Sequence, residues 1–360
     1  MMMRVLLIKT SSLGDVIHAL PAVTDAARAL PGIRFDWVVE EAFAEIPSWH
    51  PAVGRVIPVA LRRWRRQPFA QATREQWRIF RAALDGARYD CVLDAQGLLK
   101  SAWLAGKACG PRHGLDRRSA REPLASFFYA HRHAVPWGRH AVCRVRELFA
   151  AALGYALPPE ACGEDDGASR ASAAAYGLDR SRVLAGARDV PAEGAPRLVF
   201  LHGTTWPSKH WPEAYWCELA RIAAAAGWQV RLPWGNGAEH ARAARIAAAG
   251  GGHVLPKLPL AGLAAELAAA AACVAVDTGL GHLAAALDVP ALSLFGPTHP
   301  GFTGAWGHRQ FRLATDLPCA PCLRKTCSLR PPAGAVQPPC FARLPPERVW
   351  EVFRDRGSED

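Results

Sequence analysis

The stretch Cys273-Val-Ala-Val-Asp277-Thr-Gly-Leu-Gly281-His282 reads as a short apolar strand that stops at an acid, turns through Thr278-Gly279 and opens an Ala/Leu-rich helix. A helix that begins with small residues points its first, intrahelically unpaired N–H groups outward, and the aligned peptide dipoles add partial positive charge there. The stretch therefore predicts a phosphate-binding strand-turn-helix. Gly279 and Gly281 would let a diphosphate come close to the backbone. Asp-Thr-Gly is also half of an aspartic protease dyad, but that dyad needs two such loops, or a homodimer, on a β scaffold. This chain has one copy, and a helix follows it.

Outward from this stretch the same grammar recurs. Strands are expected at 198–201, Gln229–Pro233, Val274–Val276 and Ala291–Phe295, separated by helices over Pro212–Ala226, from Ala238, and over Gly281–Leu287. In the first half, residues 4–9, Phe35–Val39 and Cys91–Asp94 read as strands. Helical stretches starting near Val16 and over Arg74–Leu84 lie between them. Alternation of this kind argues for parallel sheets covered on both faces, that is, an α/β doubly wound architecture. The pattern dissolves into Gly, Ala, Pro and charge between Asp179 and Arg197. The expected organisation is a first domain over 1–182, a linker over 183–197, a second domain over 198–340 and a C-terminal helix in 341–360. That helix, Pro346–Arg356, has few evident partners of its own and is expected to pack back on the first domain. In two such domains facing one another, ligands would bind in a central cleft at the carboxyl ends of both sheets.

The 360 residues suit two domains, and half are hydrophobic, so neither lacks a core. Lys and Arg number 43 against 32 Asp and Glu, an excess of eleven positive charges that points to anionic partners: nucleic acid, an anionic membrane face or phosphorylated substrates. The apolar stretch after Arg4 is too short for a secretory signal, and no run approaches the ~18 apolar residues of a membrane span, so a cytoplasmic location is expected. Six of the ten cysteines are scattered, several in apolar runs, as reduced packed thiols are. The others are spaced Cys319-x2-Cys322-x4-Cys327-x12-Cys340 and form a structural thiol cluster that could hold zinc or remain metal-free.

Several residues at expected strand ends could carry chemistry. Asp15 follows the turn Thr10-Ser-Ser-Leu-Gly14 and is either a helix cap or a general base. The hydroxyls of Ser11 and Ser12 are available to cap in its place, and Gly14 clears space beside the carboxylate. Thr204, Thr205 and Lys209, in the loop after the strand at 198–201, place two hydroxyls and an ammonium where a phosphate would sit. Glu239 lies just beyond another strand end and is a ribose-hydroxyl acceptor or a surface helix cap. His282, one turn past Asp277, contacts phosphate or steadies the loop. Arg62-Arg63-Trp64-Arg65-Arg66 concentrates guanidinium groups around a ring. Arg121 adds a cation beside the apolar 123–129 segment, a combination suited to an amphiphile with an anionic head.

Taken together, Lys9 to His18, Phe35 to Glu41, Arg62 to Arg65, Asp94-Ala-Gln-Gly97, Ala120 to Tyr129, Thr204 to Pro212 and Val276 to His282 resemble the lipopolysaccharide heptosyltransferases of glycosyltransferase family 9. The resemblance runs from the first strand to about Gly307. The Thr204-Thr205 pair and the Arg-rich segment look more like the family's first transferase than its second. The resemblance implies a GT-B fold and inverting transfer of L-glycero-D-manno-heptose from ADP-heptose to the first Kdo of Kdo2-lipid A, peripherally at the cytoplasmic face of the inner membrane, with no cofactor and no nucleic acid. Asp15 would match the base and Lys209 the leaving-group cation. Thr204, Thr205, Lys209, Glu239, Asp277, Thr278, Gly279 and His282 would match the donor site, and Arg62, Arg63, Arg65 and Arg121 the acceptor side. The Cys-Pro-rich segment from Pro318 to Cys340 departs from the shorter members.

The chemistry is consistent with the residues. The chain contains no Asp-x-Asp metal element, and Lys209 with a helix terminus at 278–281 could neutralise a departing diphosphate by preorganised electrostatics. Two rival readings stay open at this level: a non-enzymatic protein that binds polyanions through its Arg cluster, and a same-fold nucleotide-sugar epimerase.

Overall fold

The computed structural model describes residues 3–162, 175–185, 194–329, 332 and 334–357. The chain parts into two compact units, the first ending at Arg182 and the second running on from Val183. Part of the expected linker, 186–193, lies outside the described residues.

The first unit holds a six-stranded sheet of β1 (Arg4–Ile8), β2 (Arg34–Glu40), β3 (Val53–Val59), β4 (Cys91–Asp94), β5 (Arg112–Leu115) and β6 (His131–His133), in the order β3-β2-β1-β4-β5-β6. Every neighbouring pair is parallel. The central strands are Val/Leu/Ile-rich because helices cover both of their faces; Val5 to Ile8 are fully buried. A buried ion pair ties two of the covering helices: Arg146 of Ala141–Leu153 donates to both carboxylate oxygens of Asp25, from Leu20–Ala29, at 2.6 and 2.9 Å. Removing one partner of such a pair costs about 3–5 kcal/mol, since it strands a buried charge.

The second unit repeats the plan with β7 (Arg197–Leu201), β8 (Gln229–Leu232), β9 (His253–Val254), β10 (Ala272–Val276), β11 (Ala291–Phe295) and β12 (Gln310–Ala314). Their order is β12-β11-β10-β7-β8-β9, again all parallel. Strands β3, β5, β6, β9 and β12 were not evident from the sequence. β5 and β6 read Arg-His-Gly-Leu and His-Arg-His and lie at one side of the sheet, where half-exposed polar residues hide the apolar signal.

The C-terminal helix, Pro346–Gly357, corrects the expectation that it lacks partners in its own half. Val349, Trp350 and Phe353 bury in the second unit's core together with Trp211, Trp216 and Leu344, and Phe353 meets Trp228 edge-on at 5.4 Å. The indole N–H of Trp211 donates to the Leu344 carbonyl at 2.9 Å, fixing the chain's approach to that helix.

Each sheet reverses its winding once, between β1 and β4 in the first unit and between β7 and β10 in the second. Doubly wound sheets bind ligands outside the carboxyl ends of the strands at such switch points. Among the described residues, no helix is long and apolar enough to cross a membrane.

Candidate functional site

At the first switch point the loop after β1 carries Asp15, in the first turn of the helix Leu13–Ile17. The backbone N–H and the hydroxyl of Ser12 both donate to Asp15 Oδ2, at 2.7 and 2.8 Å. Ser12 stands at the cap of this helix, and the aspartate is bonded back to it rather than left free. Asp15 is itself the acceptor of a capping arrangement, because its carboxylate stands three residues after Ser12, where it reaches back to the N–H at the cap. Base and cap are compatible roles, since both bonds fall on one oxygen and orient the carboxylate.

The loop is held from the neighbouring strand end. Gln96, two residues past β4, accepts from the N–H of Thr10 at 3.0 Å and of Ser11 at 3.3 Å through Oε1. The Gln96 turn is in turn pinned by fully buried Asp94, which accepts from the Gln96 and Gly97 N–H groups at 2.8 and 3.2 Å and from the Tyr129 hydroxyl at 2.7 Å. Burial pushes the Asp94 carboxyl above the usual range, while the bonds from Tyr129, Gln96, Ser101 and Gly97 pull it back.

Lys9, at the end of β1, is buried and donates to the Ala95 carbonyl at 2.9 Å. Burial lowers its pKa; the charges of Asp15 and Asp94 oppose that shift, and those of Arg144 and Arg121 add to it. Lys9, Asp15, Asp94 and Arg121 thus form one electrostatic neighbourhood. The roles of Lys9, Gln96 and Tyr129 were missed from sequence. The available signal was a polar residue directly after a buried strand on either side of the switch point.

The Arg-rich segment is a short helix, Leu61–Arg66. The Glu40 carboxylate accepts from the N–H groups of Leu61 and Arg62 at its start, and Trp64 is buried. Arg63 is engaged with Glu41 at 2.8 Å and Gln76 at 3.0 Å. Arg62 and Arg65 are exposed. These three follow β3, whereas Arg121 belongs to the neighbourhood of Lys9.

In the second unit the loops after β7 and β10 meet. The Thr204 hydroxyl donates to the Asp277 carbonyl at 2.9 Å, Lys209 Nζ lies 2.6 Å from Asp277 Oδ2, and the Thr298 hydroxyl donates to that same oxygen at 2.7 Å. The Lys209 ammonium also sits 4.5 Å from the centre of the Trp206 ring. Thr204 therefore joins two loops, and Thr205 is the exposed hydroxyl of the pair. Asp277 holds Lys209 rather than facing an anion with its own charge. The helix Gly279–Ala286 starts beside them, with Thr278 at its cap in an extended conformation and no capping bond from its hydroxyl. A Cβ added at Gly281 would meet nothing nearer than 3.7 Å, so packing beneath the helix does not require glycine there. His282 is buried and engaged within the protein.

Glu239 stands in the first turn of the helix Gly237–Gly250, whose cap is Asn236. Its Oε2 accepts from the Gly235 N–H at 2.7 Å, and its own N–H donates to Asn236 Oδ1 at 3.0 Å. Its Oε1 faces Gly203, where an added Cβ would come within 2.9 Å. The carboxylate thus joins the end of β7 to the turn before this helix. His202, at the end of β7, is held at about pKa 4 by burial and by the nearby charge of Arg242.

The four tail cysteines line one cavity with Ser208, Gly296 and Pro297. The Cys340 thiol is pushed up to about 11 by burial, with the other three thiols adding to the shift. Among the described residues, no group of three His, Cys, Asp or Glu side chains is placed to hold a metal ion. The cysteine loop braces the turn that carries Ser208 and Lys209. The Ser208 N–H and hydroxyl donate to the carbonyls of Lys325 and Arg324 at 3.1 and 2.6 Å, and the Leu323 N–H donates to Pro297 at 2.9 Å.

Comparison with known proteins matches residues 77–332 to the model of glycosyltransferase family 9 (heptosyltransferase). The chain is 61% identical over 359 residues to lipopolysaccharide heptosyltransferase 1 of Pseudomonas aeruginosa, covering 96% of each. It is 49% identical to the corresponding protein of Escherichia coli K12, covering 86% of this chain and 92% of that one. Among solved structures, E. coli heptosyltransferase WaaC with ADP superimposes with a TM-score of 0.82 at 43% identity, covering 98% of this chain and all of the other.

Proposed function

Since the chain belongs to glycosyltransferase family 9, the heptosyltransferases, we propose that its two switch-point sites divide heptose transfer in lipopolysaccharide core synthesis between them. The second unit takes ADP-heptose, and the first presents the first Kdo of Kdo2-lipid A. This substrate pair is that of the family's first transferase, with which the chain shares most of its length. The lipid acceptor places the enzyme peripherally at the cytoplasmic face of the inner membrane.

Asp15 removes the proton from the acceptor hydroxyl through the oxygen not tied to Ser12. The hydroxyl oxygen attacks the anomeric carbon, the carbon–oxygen bond to the diphosphate breaks on the opposite face, and configuration inverts as ADP leaves. General-base assistance of this kind contributes roughly 10²–10⁴-fold. Lys209 and the N–H groups opening the helix at Gly279 balance the charge that grows on the diphosphate, which is the role of preorganised dipoles and cations in a site without metal. Thr205 and Thr278 supply hydroxyls to the phosphates, Glu239 accepts from the ribose, and Thr204, Asp277 and His282 shape the loops. Arg121 meets an anionic group of the acceptor near Asp15, and Arg62, Arg63 and Arg65 meet groups farther out.

The observation that carries this reading is the orientation of Asp15 by Ser12 at the carboxyl end of β1. The test is Asp15→Asn: ADP binding stays at the wild-type level in calorimetry while transfer falls at least a hundredfold. Retained turnover removes Asp15 from the base role.

A further inference from the structure

We propose that the exposed apolar face formed by the helix Leu99–Ala105 and the 3-10 segment Pro123–Phe128 docks the protein on a bilayer of anionic lipids. The inference rests on the reading above that the acceptor is membrane-borne, and it specifies which surface meets the membrane.

The two elements pack on each other through small residues and one ring, Ala102, Ala125 and Tyr129. Leu104 is buried in the core and Trp103 stacks on Trp77, but five large apolar side chains remain open: Leu99 is 39% exposed, Trp103 43%, Leu124 58%, Phe127 61% and Phe128 39%. Single exposed hydrophobes are ordinary on any surface, but five on two adjoining short elements invert the usual order of alanine outside and aromatic inside.

The charge around this face selects the partner. Residues 98–132 carry seven Lys and Arg (Lys100, Lys107, Arg112, Arg117, Arg118, Arg121, Arg132) against two acids, Asp116 and Glu122. Both acids are internally engaged. Asp116 accepts from the N–H groups of Arg118 and Ser119, and Glu122 accepts from the Leu99 N–H at 2.6 Å. Cations also lie over the rings themselves: Lys107 Nζ is 4.9 Å from the centre of Trp103, and the Arg132 guanidinium is 5.9 Å from that of Phe127. Aromatic rings at headgroup depth, with basic groups beside them reaching phosphates, are how proteins rest on anionic bilayers. A second copy of the same face would bring like charges such as Lys107 and Arg132 together, which disfavours self-association.

The face also continues into the acceptor side. The Glu122 N–H donates to the Gly97 carbonyl at 3.1 Å, so the 3-10 segment is anchored on the loop whose Gln96 holds the Asp15 loop. A bilayer at this surface would present its headgroups toward that loop.

The test is co-sedimentation with acceptor-free vesicles of phosphatidylcholine containing about one-third phosphatidylglycerol, compared with phosphatidylcholine alone. Wild-type protein is expected to bind the anionic vesicles and to release them in high salt. Leu124→Ser/Phe127→Ser and Lys100→Glu/Lys107→Glu are each expected to weaken binding at least tenfold, given roughly fivefold per surface cation, while turnover on a deacylated, water-soluble acceptor is unchanged. The proposal is overturned if wild-type protein ignores acceptor-free anionic vesicles, if both double variants bind like wild type, or if light scattering shows that Leu124→Ser/Phe127→Ser splits an oligomer. Vesicle binding without any heptose transfer would instead overturn the functional reading and leave this surface standing.

Discussion

Lys209 Nζ stands 2.6 Å from Oδ2 of Asp277, an oxygen that also accepts the Thr298 hydroxyl. The cation that the proposed function assigns to the donor is thus held in place within the protein, by a carboxylate that directly follows the strand β10. Preorganisation of this kind spares the reaction the cost of reorienting a flexible lysine as charge develops.

Lys209→Met should therefore lower kcat by about 10²–10³-fold, in line with the loss of one preorganised charge-stabilising group, and also weaken ADP binding. Asp277→Ala should mimic part of the loss by freeing Lys209, and Asp277→Asn should restore part of it because the amide oxygen still accepts from Lys209 and Thr298. Steady-state kinetics on the three variants checks this; equal kcat for Lys209→Met and wild type would remove the lysine from leaving-group stabilisation.

Gln96 should behave as a positioning residue for Asp15. Gln96→Leu removes the acceptor of the Thr10 and Ser11 N–H groups, and a shift of about 1 Å in a catalytic group can cost ~10²-fold. The expected result is a kcat reduced ten- to a hundredfold with KM for ADP-heptose unchanged, since the proposed donor site belongs to the second unit. Gln96→Glu keeps an accepting oxygen and should recover most of the rate. Equal losses in both variants, or a changed donor KM, would contradict a positioning role.

Ser208 should link the cysteine loop to donor binding. Its hydroxyl bond to Arg324 is worth about 1 kcal/mol, and Lys209 follows it in sequence. Ser208→Ala is expected to raise KM for ADP-heptose several-fold with KM for the acceptor unchanged. Unaltered donor KM would show that the loop does not brace the turn.

Acid should destabilise the first unit through His50. Burial, with Arg182 nearby, holds its pKa at about 4 against 6.5 in the unfolded chain. The ring is neutral by design of its bonds: Nδ1 accepts from the Ala52 N–H at 3.1 Å, and Nε2–H donates to the Thr24 hydroxyl at 3.0 Å. Between those two pH values the unfolded state binds a proton that the folded state does not, so stability rises with pH and is lost as pH falls from 6.5 toward 4. From neutral pH to about pH 5 this one group should cost about 2 kcal/mol. Urea titrations of His50→Gln should show a correspondingly shallower acid loss; the same slope as wild type would contradict the assignment.

How much of this was legible in the sequence depended on burial. The β10-turn-helix stretch at 273–282 and the strand β1 announce themselves because strands covered on both faces are near-continuous apolar runs. β5, β6 and β12 do not, since His113, Arg132 and Arg312 interrupt them. Asp15, Lys209, Asp277 and Glu239 were legible as polar residues at strand ends, but which group accepts from which was not. The sequence offers both Ser12 and Asp15 as caps, and only the backbone path decides that Asp15 receives the bonds. Lys9 and Gln96 were hidden for a related reason: their partners, Ala95 and the N–H groups of Thr10 and Ser11, are backbone atoms some 85 residues away in sequence, brought close by the pairing of β1 with β4.

The most direct test of heptose transfer itself is mass spectrometry of Kdo2-lipid A after incubation with the purified protein and ADP-heptose. The account predicts a product heavier by one heptose, with one ADP released per sugar added and the opposite anomeric configuration. An unchanged acceptor mass while ADP-heptose is consumed, or addition only to an acceptor that already bears a heptose, would contradict it.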